Sequence, residues 1–276
     1  MQRPRKQNFL NTTFAVFKFI LFWVTVLLHI PILCLIPTGR ASVAYMRFFM
    51  RTMAFWTGVR VRVHGALSGK RPLLCVCNHI SVFEFVSMPI AFGATFFGKI
   101  DIAGYPVVGW LAKKFGVIFV DRRPSHAMDA LNVVRNQMQH SPYPMFLFPE
   151  GTTTNGAYVK EFKSTLFNIV EGNDNLTIQP VVMNYRYRDG GIISDIDMAN
   201  HFGYFDNAKQ DMGPKCEHER SAFGQVFHIM VLGGFLVDIH VLPVPRLGNM
   251  DRKEIALKLH KIVSDKYMEL KDKQEK

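Results

Sequence analysis

The sequence has little cysteine and lacks several patterns that would narrow its function at once. Its 276 residues hold 4 cysteines, which form no disulfide framework and favour a reducing compartment. No Gly-x-Ser-x-Gly elbow occurs, so a serine hydrolase with a covalent intermediate is unsupported. Internal repeats and low-complexity tracts are also absent. The length fits one large α/β domain, with or without an appendage.

Acidic residues are in the minority, with 22 Asp and Glu against 33 Lys and Arg, for a formal net charge of +11. Such a balance implies anionic partners, which include nucleic acid, anionic lipid headgroups and phosphorylated substrates. The basic residues are dispersed, without interleaved aromatic residues or a nucleic-acid fold signature. We therefore expect membrane lipid, and no nucleic acid, as a partner.

One long apolar run stands near the N-terminus. It extends over residues 14–37 behind a basic flank, and its length falls in the roughly 17 to 25 residues that cross a bilayer. The following residues 38–40 make a poor signal-peptide cleavage site. Pro31 leaves two geometries open: a single span with its basic flank inside, or a helical hairpin lying partly in one leaflet. We predict that residues 1–57 form membrane-associating helices.

Strand and helix patterns alternate along the rest of the chain. Strand candidates are Val59–Val63, Leu73–Cys77, Thr95–Phe97, Val117–Val120, Met145–Phe148, Thr177–Val182 and Leu236–Leu242. Apolar spacing predicts helices over 40–57, 128–140 and 255–270, and a polar excursion at 189–220. The alternation indicates an α/β domain over 58–276, with a mainly parallel central sheet flanked by helices and preceded by an N-terminal membrane helix or helical hairpin.

A histidine and an acid follow the predicted strand Leu73–Cys77, in the block Asn78-His79-Ile80-Ser81-Val82-Phe83-Glu84. The C-terminal ends of parallel strands are where α/β proteins bind ligands. A neutral imidazole can remove a proton from an alcohol near pH 7, and a carboxylate on its other nitrogen fixes the tautomer. We predict His79 as a general base and Glu84 as the residue that orients it.

Spacing alone does not select this pair, because two others have the same separation. His260 and Asp265 lie on the predicted C-terminal helix, where residues i and i+5 do not face one another, so we interpret them as structural. His201 and Asp206 lie in the polar excursion and are the serious alternative. The order of the surrounding blocks favours His79.

Another predicted strand ends in Phe148-Pro149-Glu150-Gly151-Thr152. Pro149 removes a backbone donor and ends the strand, and Gly151 permits a tight turn with close backbone approach. Backbone N–H groups and threonine hydroxyls there could hold phosphate. Arg122, at the end of a further strand, could grip phosphate through two parallel hydrogen bonds.

Together these blocks resemble the glycerolipid acyltransferases, the lysophosphatidic acid acyltransferase family. The matching blocks are 78–84, 116–122, 148–152 and 178–182, and the resemblance is strong over roughly residues 60–185. It implies direct transfer of a fatty acyl group from acyl-CoA or acyl-carrier protein to a lysophospholipid hydroxyl, without an acyl-enzyme. The expected acceptor is 1-acyl-sn-glycerol-3-phosphate, which would give phosphatidic acid. No metal, prosthetic group or other cofactor is implied.

The resemblance also implies roles for individual residues. Glu150, Gly151 and Thr152 would shape the acceptor site, with Arg122 and Lys99 on the phosphate. The pair Phe162-Lys163 downstream matches one branch of the family. Two positions depart from the family pattern: Glu84 stands where the family has Asp, and Thr153 where it often has Arg or Ser. A misplacement by about 1 Å can cost on the order of 100-fold in rate, so the longer acid matters.

These departures keep two alternatives open. One is an acyltransferase for another lyso-lipid, of the lysophosphatidylcholine type or a lyso-ornithine lipid. The other is a non-catalytic lipid-binding relative. For either enzyme we expect a membrane location with the catalytic domain on the cytoplasmic side, at a bacterial inner membrane or an endoplasmic reticulum.

Overall fold

The computed structural model describes residues 9–81, 83–105, 108–120, 127–154, 156–170, 173, 175–202 and 222–275. The strands are β1 (Arg60–His64), β2 (Leu73–Cys77), β3 (Thr95–Lys99), β4 (Ile118–Val120), β5 (Met145–Leu147), β6 (Thr177–Tyr187) and β7 (Phe235–Val241). Within the described residues they form a seven-stranded sheet in the order β1-β7-β6-β2-β5-β3-β4. Strands β6 and β7 are antiparallel, and all other neighbours are parallel.

Burial explains the order of the strands. Every residue of β2 is buried, as expected for a continuous apolar run at the centre of a sheet covered on both faces. Strand β1 stands at one edge, and its residues are mostly exposed. All seven predicted strands are confirmed. Strand β6 extends beyond its predicted end at Val182 to Tyr187, where it still pairs with Phe235 of β7.

The α-helices of the described residues are α1 (Phe9–Leu35), α2 (Arg40–Thr57), α3 (Glu84–Phe92), α4 (Val108–Lys114), α5 (Ala127–His140), α6 (Asp195–Phe202), α7 (Ala222–Leu232) and α8 (Arg252–Glu275). The predictions for α2, α5 and the C-terminal helix are confirmed. Helix α6 lies inside the predicted excursion of 189–220, where its 8 residues are too few to show a clear apolar period. Residues 203–221 of that excursion lie outside the described residues.

Helix α1 continues through Pro31, and the chain reverses only after Leu35. Among the described residues it is the one helix long and apolar enough to cross a membrane, over Thr12–Leu35. One side of α1 packs with α2 and α7 around buried apolar residues: Ala15, Phe22, Leu33, Val43, Met46, Phe49, Met53, Met230 and Val231. Its other large apolar side chains are exposed, including Phe14, Phe17, Ile20, Leu27 and Leu28. A helix with so much exposed apolar surface differs from the core helix of a soluble domain.

The α/β layer has its own core on both faces of the sheet. Helix α8 contributes Ile255, Leu259, Val263 and Leu270, which are buried as the apolar stripe predicts. In β6, Val181 and Val182 are fully buried and form part of the same core. Helix α2 ends at Thr57, and Gly58 follows with a left-handed φ of 76°. The predicted boundary between the membrane-associating segment and the α/β domain, at residue 57, lies at this helix end.

Candidate active site

Two adjacent parallel strands bring the motif blocks together. Strands β2 and β5 are hydrogen-bonded neighbours, with Cys75 opposite Phe146 and Val76 opposite Leu147. Because both run in the same direction, the turn after β2 and the turn after β5 meet at one edge of the sheet. His79 stands in the first turn and Glu150 in the second.

The turn after β2 begins with a side chain that prolongs the sheet. Asn78 donates from Nδ2 to the carbonyl of Met183 at 3.0 Å and accepts the Met183 N–H on Oδ1 at 2.8 Å. The amide thereby takes the place of a backbone peptide against β6. Since Asn78 is 1% exposed, both hydrogen bonds are shielded from water. This clamp fixes where the chain leaves the strand, one residue before His79.

His79 and Glu84 form the predicted pair. Glu84 is the first residue of α3 and is fully buried, and its Oε2 accepts a hydrogen bond from Nδ1 of His79. Its Oε1 accepts from the backbone N–H groups of Ile80 at 2.9 Å and Ser81 at 2.8 Å. The hydroxyl of Tyr185 on β6 donates to the same oxygen at 3.1 Å. Four donors therefore surround the carboxylate and offset the cost of its burial.

This arrangement fixes the histidine ring. A carboxylate on Nδ1 keeps the proton of the neutral imidazole there and leaves Nε2 as the acceptor. The ring stacks on Phe148 at a centroid distance of 4.5 Å, and Phe85 packs edge-on at 6.0 Å. Its side chain is 13% exposed, so it can be reached from outside while most of it is packed.

Each carboxylate oxygen of Glu150 accepts a hydrogen bond from a backbone N–H group. Its Oε1 accepts the N–H of His79 at 2.6 Å, and its Oε2 accepts the N–H of Lys160 at 2.8 Å. Thr154 donates its N–H to the carbonyl of His79 at 2.9 Å. The Glu150 side chain and the Thr154 backbone thus hold the two peptide groups that flank the His79 side chain. Burial raises the pKa of Glu150 to about 8, although its two backbone hydrogen bonds oppose the shift.

Gly151 and Lys163 lie against each other at the mouth of the Glu150 turn. Gly151 has a φ of +73°, which side-chain-bearing residues rarely adopt. A Cβ at this position would stand 2.9 Å from Nζ of Lys163. The Lys163 side chain is exposed, and its backbone N–H donates to the carbonyl of Pro149 at 2.9 Å. Thr152 follows in the same turn and is partly exposed.

Lys99 and Arg122 are the other two residues predicted to bind the substrate. Lys99 is the last residue of β3, opposite Val120 of β4. Arg122 lies outside the described residues. Their role in holding phosphate stays a prediction. Lys163 is the cation that the described part of the chain puts beside Gly151.

The competing histidines have other contacts. His260 faces the carbonyl of Val159 at 3.1 Å, and Asp265 pairs with Lys261 at 2.8 Å, as expected for a structural pair. His201 lies at the end of α6, and its ring nitrogens face Tyr187 at 3.2 Å and His228 at 3.0 Å. Asp206, its predicted partner, lies outside the described residues.

The strand cysteines are packing residues. Cys75 and Cys77 are fully buried in β2, and burial raises the pKa of both thiols. No group of three or more His, Cys, Asp or Glu side chains that could hold a metal occurs in the part of the chain that the structure describes.

Sequence reasoning missed several residues of the site. The Asn78 clamp, the Thr154 contact and the Tyr185 hydroxyl are long-range and have no periodic signal. Lys163 was not among the predicted site residues either, although the Phe162-Lys163 pair, which matches one branch of the resembled family, was a signal that could have found it. Its position over Gly151 depends on the turn after β5, which brings residues 151 and 163 together.

The chain is similar to known acyltransferases. Residues 60–184 match the family model described as Acyltransferase. The lyso-ornithine lipid O-acyltransferase of Pseudomonas aeruginosa is 34% identical over 150 residues, which cover 52% of this chain and 56% of the relative. That of Rhizobium meliloti is 29% identical, over 58% of this chain and 57% of the relative. The chain thus spans about half the length of these curated relatives.

A more distant relative and a solved structure extend the comparison. The 1-acyl-sn-glycerol-3-phosphate acyltransferase of Neisseria gonorrhoeae is 28% identical over 96 residues, or 34% of this chain and 37% of the relative. The crystal structure of the 1-acyl-sn-glycerophosphate acyltransferase PlsC from Thermotoga maritima superposes with a TM-score of 0.60, over 95% of this chain and 98% of that one. At 15% identity it shows the fold alone. The segment matched by the Acyltransferase model contains the His79–Glu84 pair and the Glu150 turn, so the part of this chain that is similar to known acyltransferases is the part that carries the site.

Proposed function

We propose that this protein transfers a fatty acyl group from a thioester to the hydroxyl of a lyso-lipid. One observation carries the proposal: a buried carboxylate at the start of α3 holds Nδ1 of His79 at the C-terminal edge of the sheet. This is the geometry that a general base requires, with Nε2 left as the proton acceptor.

The proposed reaction is a direct displacement. Nε2 of His79 takes the proton of the acceptor hydroxyl as its oxygen attacks the thioester carbonyl. The new C–O bond forms, the C–S bond breaks, and the departing thiolate receives the proton from the imidazolium. Glu84 keeps its charge throughout and stabilises the imidazolium. A thioester and an alcohol thus become an ester and a thiol, without an acyl-enzyme.

The donor is acyl-CoA or acyl-carrier protein, since both present the same thioester. For the acceptor we place a lyso-ornithine lipid first, because the curated relatives with 34% and 29% identity carry that name. A lysophospholipid such as 1-acyl-sn-glycerol-3-phosphate is second, supported by the shorter match to the Neisseria gonorrhoeae protein. Lys163 beside Gly151 would bind the carboxylate of the first acceptor or the phosphate of the second.

The setting we propose is a membrane surface. Helix α1 exposes Phe14, Phe17 and Leu28, which would be buried in lipid. Residues 1–57 would then associate with the membrane and keep the site at the level where lyso-lipids lie. The catalytic domain would face the cytoplasm, where thioester donors are made.

A non-catalytic lipid-binding function is the competing proposal, motivated by the glutamate at position 84. Its carboxylate nevertheless reaches Nδ1 of His79 and is fully supported by other donors. We therefore favour an enzyme.

The test is acyl transfer by the purified protein in detergent. Labelled acyl-CoA or acyl-carrier protein is supplied with lyso-ornithine lipid, 1-acyl-sn-glycerol-3-phosphate or lysophosphatidylcholine. We expect transfer with wild type and His201→Ala and none with His79→Ala. Loss with His201→Ala alone would move the base to the other histidine. If wild type transfers to no acceptor from either donor, the lipid-binding proposal replaces this one.

A further inference from the structure

Glu84 needs more support than the shorter acid of the resembled family would. Its side chain has one additional rotatable bond, which must be held if Oε2 is to stay on His79. The local chain supplies two donors to Oε1, the N–H groups of Ile80 and Ser81. The third donor comes from a distant strand: the Tyr185 hydroxyl of β6, 3.1 Å from the same oxygen.

The packing and burial of Tyr185 keep its hydroxyl as a hydrogen-bond donor to Glu84. The side chain is 1% exposed and packs on Phe202 at a centroid distance of 4.5 Å, so its ring has little freedom. Burial, and next the nearby charge of Glu84, raise the pKa of Tyr185 far above the usual value for a tyrosine. The hydroxyl therefore keeps its proton, and it donates to Oε1, the carboxylate oxygen that does not bind His79.

We propose that Tyr185 is a positioning residue that lets a glutamate serve where the resembled family has an aspartate. It fixes the longer carboxylate and shares its negative charge, and through Glu84 it sets the basicity of His79. Tyr185 lies directly after the segment that matches the family model, so the family match does not assign it. This inference rests on the proposed function, and its test is chosen to separate the two.

The titratable groups near the pair come from strands, a turn and a helix. Cys77 of β2 and Tyr185 of β6 lie close to Glu84, Glu150 follows β5, and Tyr267 of α8 senses the charges of both acids. Without the Tyr185 hydroxyl, the carboxylate charge is shared with one donor fewer and attracts the imidazolium more strongly. The acidic limb of the rate profile is therefore expected to move to higher pH in Tyr185→Phe.

The first arm of the test is kinetic. Tyr185→Phe keeps the ring and removes the hydroxyl, and we expect kcat to fall about tenfold at unchanged KM. The acidic limb of kcat/KM should shift upward by roughly half a pH unit. Tyr267→Phe is the matched control, because Tyr267 is also 1% exposed but its hydroxyl donates to the carbonyl of Gly156 at 2.6 Å and not to Glu84. An unshifted profile, or equal kinetics in both variants, would overturn the proposal.

The second arm combines two changes. In Glu84→Asp the shorter carboxylate cannot reach both His79 and Tyr185, so this variant should lose activity although it restores the family residue. Adding Tyr185→Phe to it should cost less than twofold, because the hydroxyl no longer contacts the carboxylate there. A full tenfold additional loss would mean that Tyr185 acts independently of Glu84, which contradicts the inference.

The third arm needs no turnover. The Nδ1 proton of His79 lies in the hydrogen bond to Glu84 and is observed by NMR in histidine-labelled full-length protein in detergent, with its signal identified by its absence from His79→Ala. We expect this signal to move in Tyr185→Phe relative to wild type and Tyr267→Phe. If wild type proves inactive on every acceptor, the proposed function fails, while this signal still decides whether Tyr185 acts on the pair through Glu84. Identical signals in all three proteins would reject the role of Tyr185 even in an active enzyme.

Discussion

Within its described residues the protein contains two pairs of histidine and buried carboxylate that differ in what else the carboxylate binds. His79 and Glu84 lie at the C-terminal edge of the parallel strands. His64 of β1 and Asp238 of β7 lie on two neighbouring parallel strands, with Nε2 and Oδ1 2.9 Å apart. Both acids are fully buried. Their surroundings nevertheless give the two pairs different chemical capacities.

Asp238 already has a permanent cation. Nε of Arg186 lies 2.8 Å from Oδ2 of Asp238, so the two side chains form an ion pair. Within the described residues Glu84 has no such partner, and its other donors are two backbone N–H groups and a hydroxyl. Because the arginine neutralises Asp238, little charge is left to stabilise an imidazolium. A histidine beside an acid is therefore a base only where no stronger cation holds that acid.

The neighbours of the two histidines differ as well. His79 stacks on Phe148, whereas His64 stacks on His240 at a centroid distance of 4.3 Å. Burial and then the nearby His64 lower the pKa of His240 to about 4. The His64 pair thus lies against a second imidazole, and the His79 pair against a phenyl ring.

The largest expected effect separates the two histidines by activity. His79→Ala removes the proposed base and should lower kcat by about 1,000-fold or more. His64→Ala removes an equivalent ring from the other pair and should leave kcat within twofold of wild type. Acyl transfer measured side by side checks this. Equal losses in both variants would show that the two pairs are not functionally distinct.

The second prediction is that the two acids differ in their effects on activity and on stability. Glu84→Gln should reduce kcat by roughly 100-fold, because a neutral amide stabilises the imidazolium less. Asp238→Asn should leave kcat nearly unchanged but lower the free energy of unfolding by about 4 kcal/mol, because Arg186 is left without its counter-charge. Denaturant unfolding and acyl transfer are measured on both proteins. An inactive but fully stable Asp238→Asn would contradict this division.

The third prediction concerns Glu150, whose raised pKa makes stability depend on pH. Its pKa rises from an ordinary 4.5 to about 8 in the folded chain. Between these values the unfolded chain releases this proton and the folded chain keeps it, so stability should fall as pH rises through that window. We expect a loss of about 3 kcal/mol that Glu150→Gln does not show. Melting curves from pH 5 to 8 compare the slopes. Parallel slopes in both proteins would mean that Glu150 titrates normally.

The smallest expected effect is on acceptor binding. Lys163→Met keeps the length of the side chain and removes its charge, and should raise KM for an anionic acceptor about fivefold at unchanged kcat. Lys261→Met is the matched control, since Lys261 is an exposed lysine paired with Asp265 on α8. Steady-state kinetics over a range of acceptor concentrations distinguish the two. A drop in kcat with constant KM would place Lys163 in the chemical step instead of in binding.

Local patterns were enough to predict much of the fold. The continuous apolar run of β2 and the stripe of α8 identify these elements, because each buries a face that is visible in the order of residues. Helix α6 was missed, since its 8 residues hold no sustained period. Its buried residues Met198 and Phe202 acquire their partners only from distant parts of the chain.

The sequence by itself determined which residue types were available and at which strand ends they stand: a histidine and an acid after β2, and a glutamate and glycine after β5. Only the tertiary structure decided their partners. The three histidine–acid pairs have the same separation in the sequence, and within the described residues Glu84 is the acid of these pairs that accepts a hydrogen bond from Tyr185 of β6. Glu150 likewise proves to hold the backbone of His79. Hydrogen bonds between residues 70 to 100 positions apart depend on how the strands are ordered in the sheet, and no local pattern records that order.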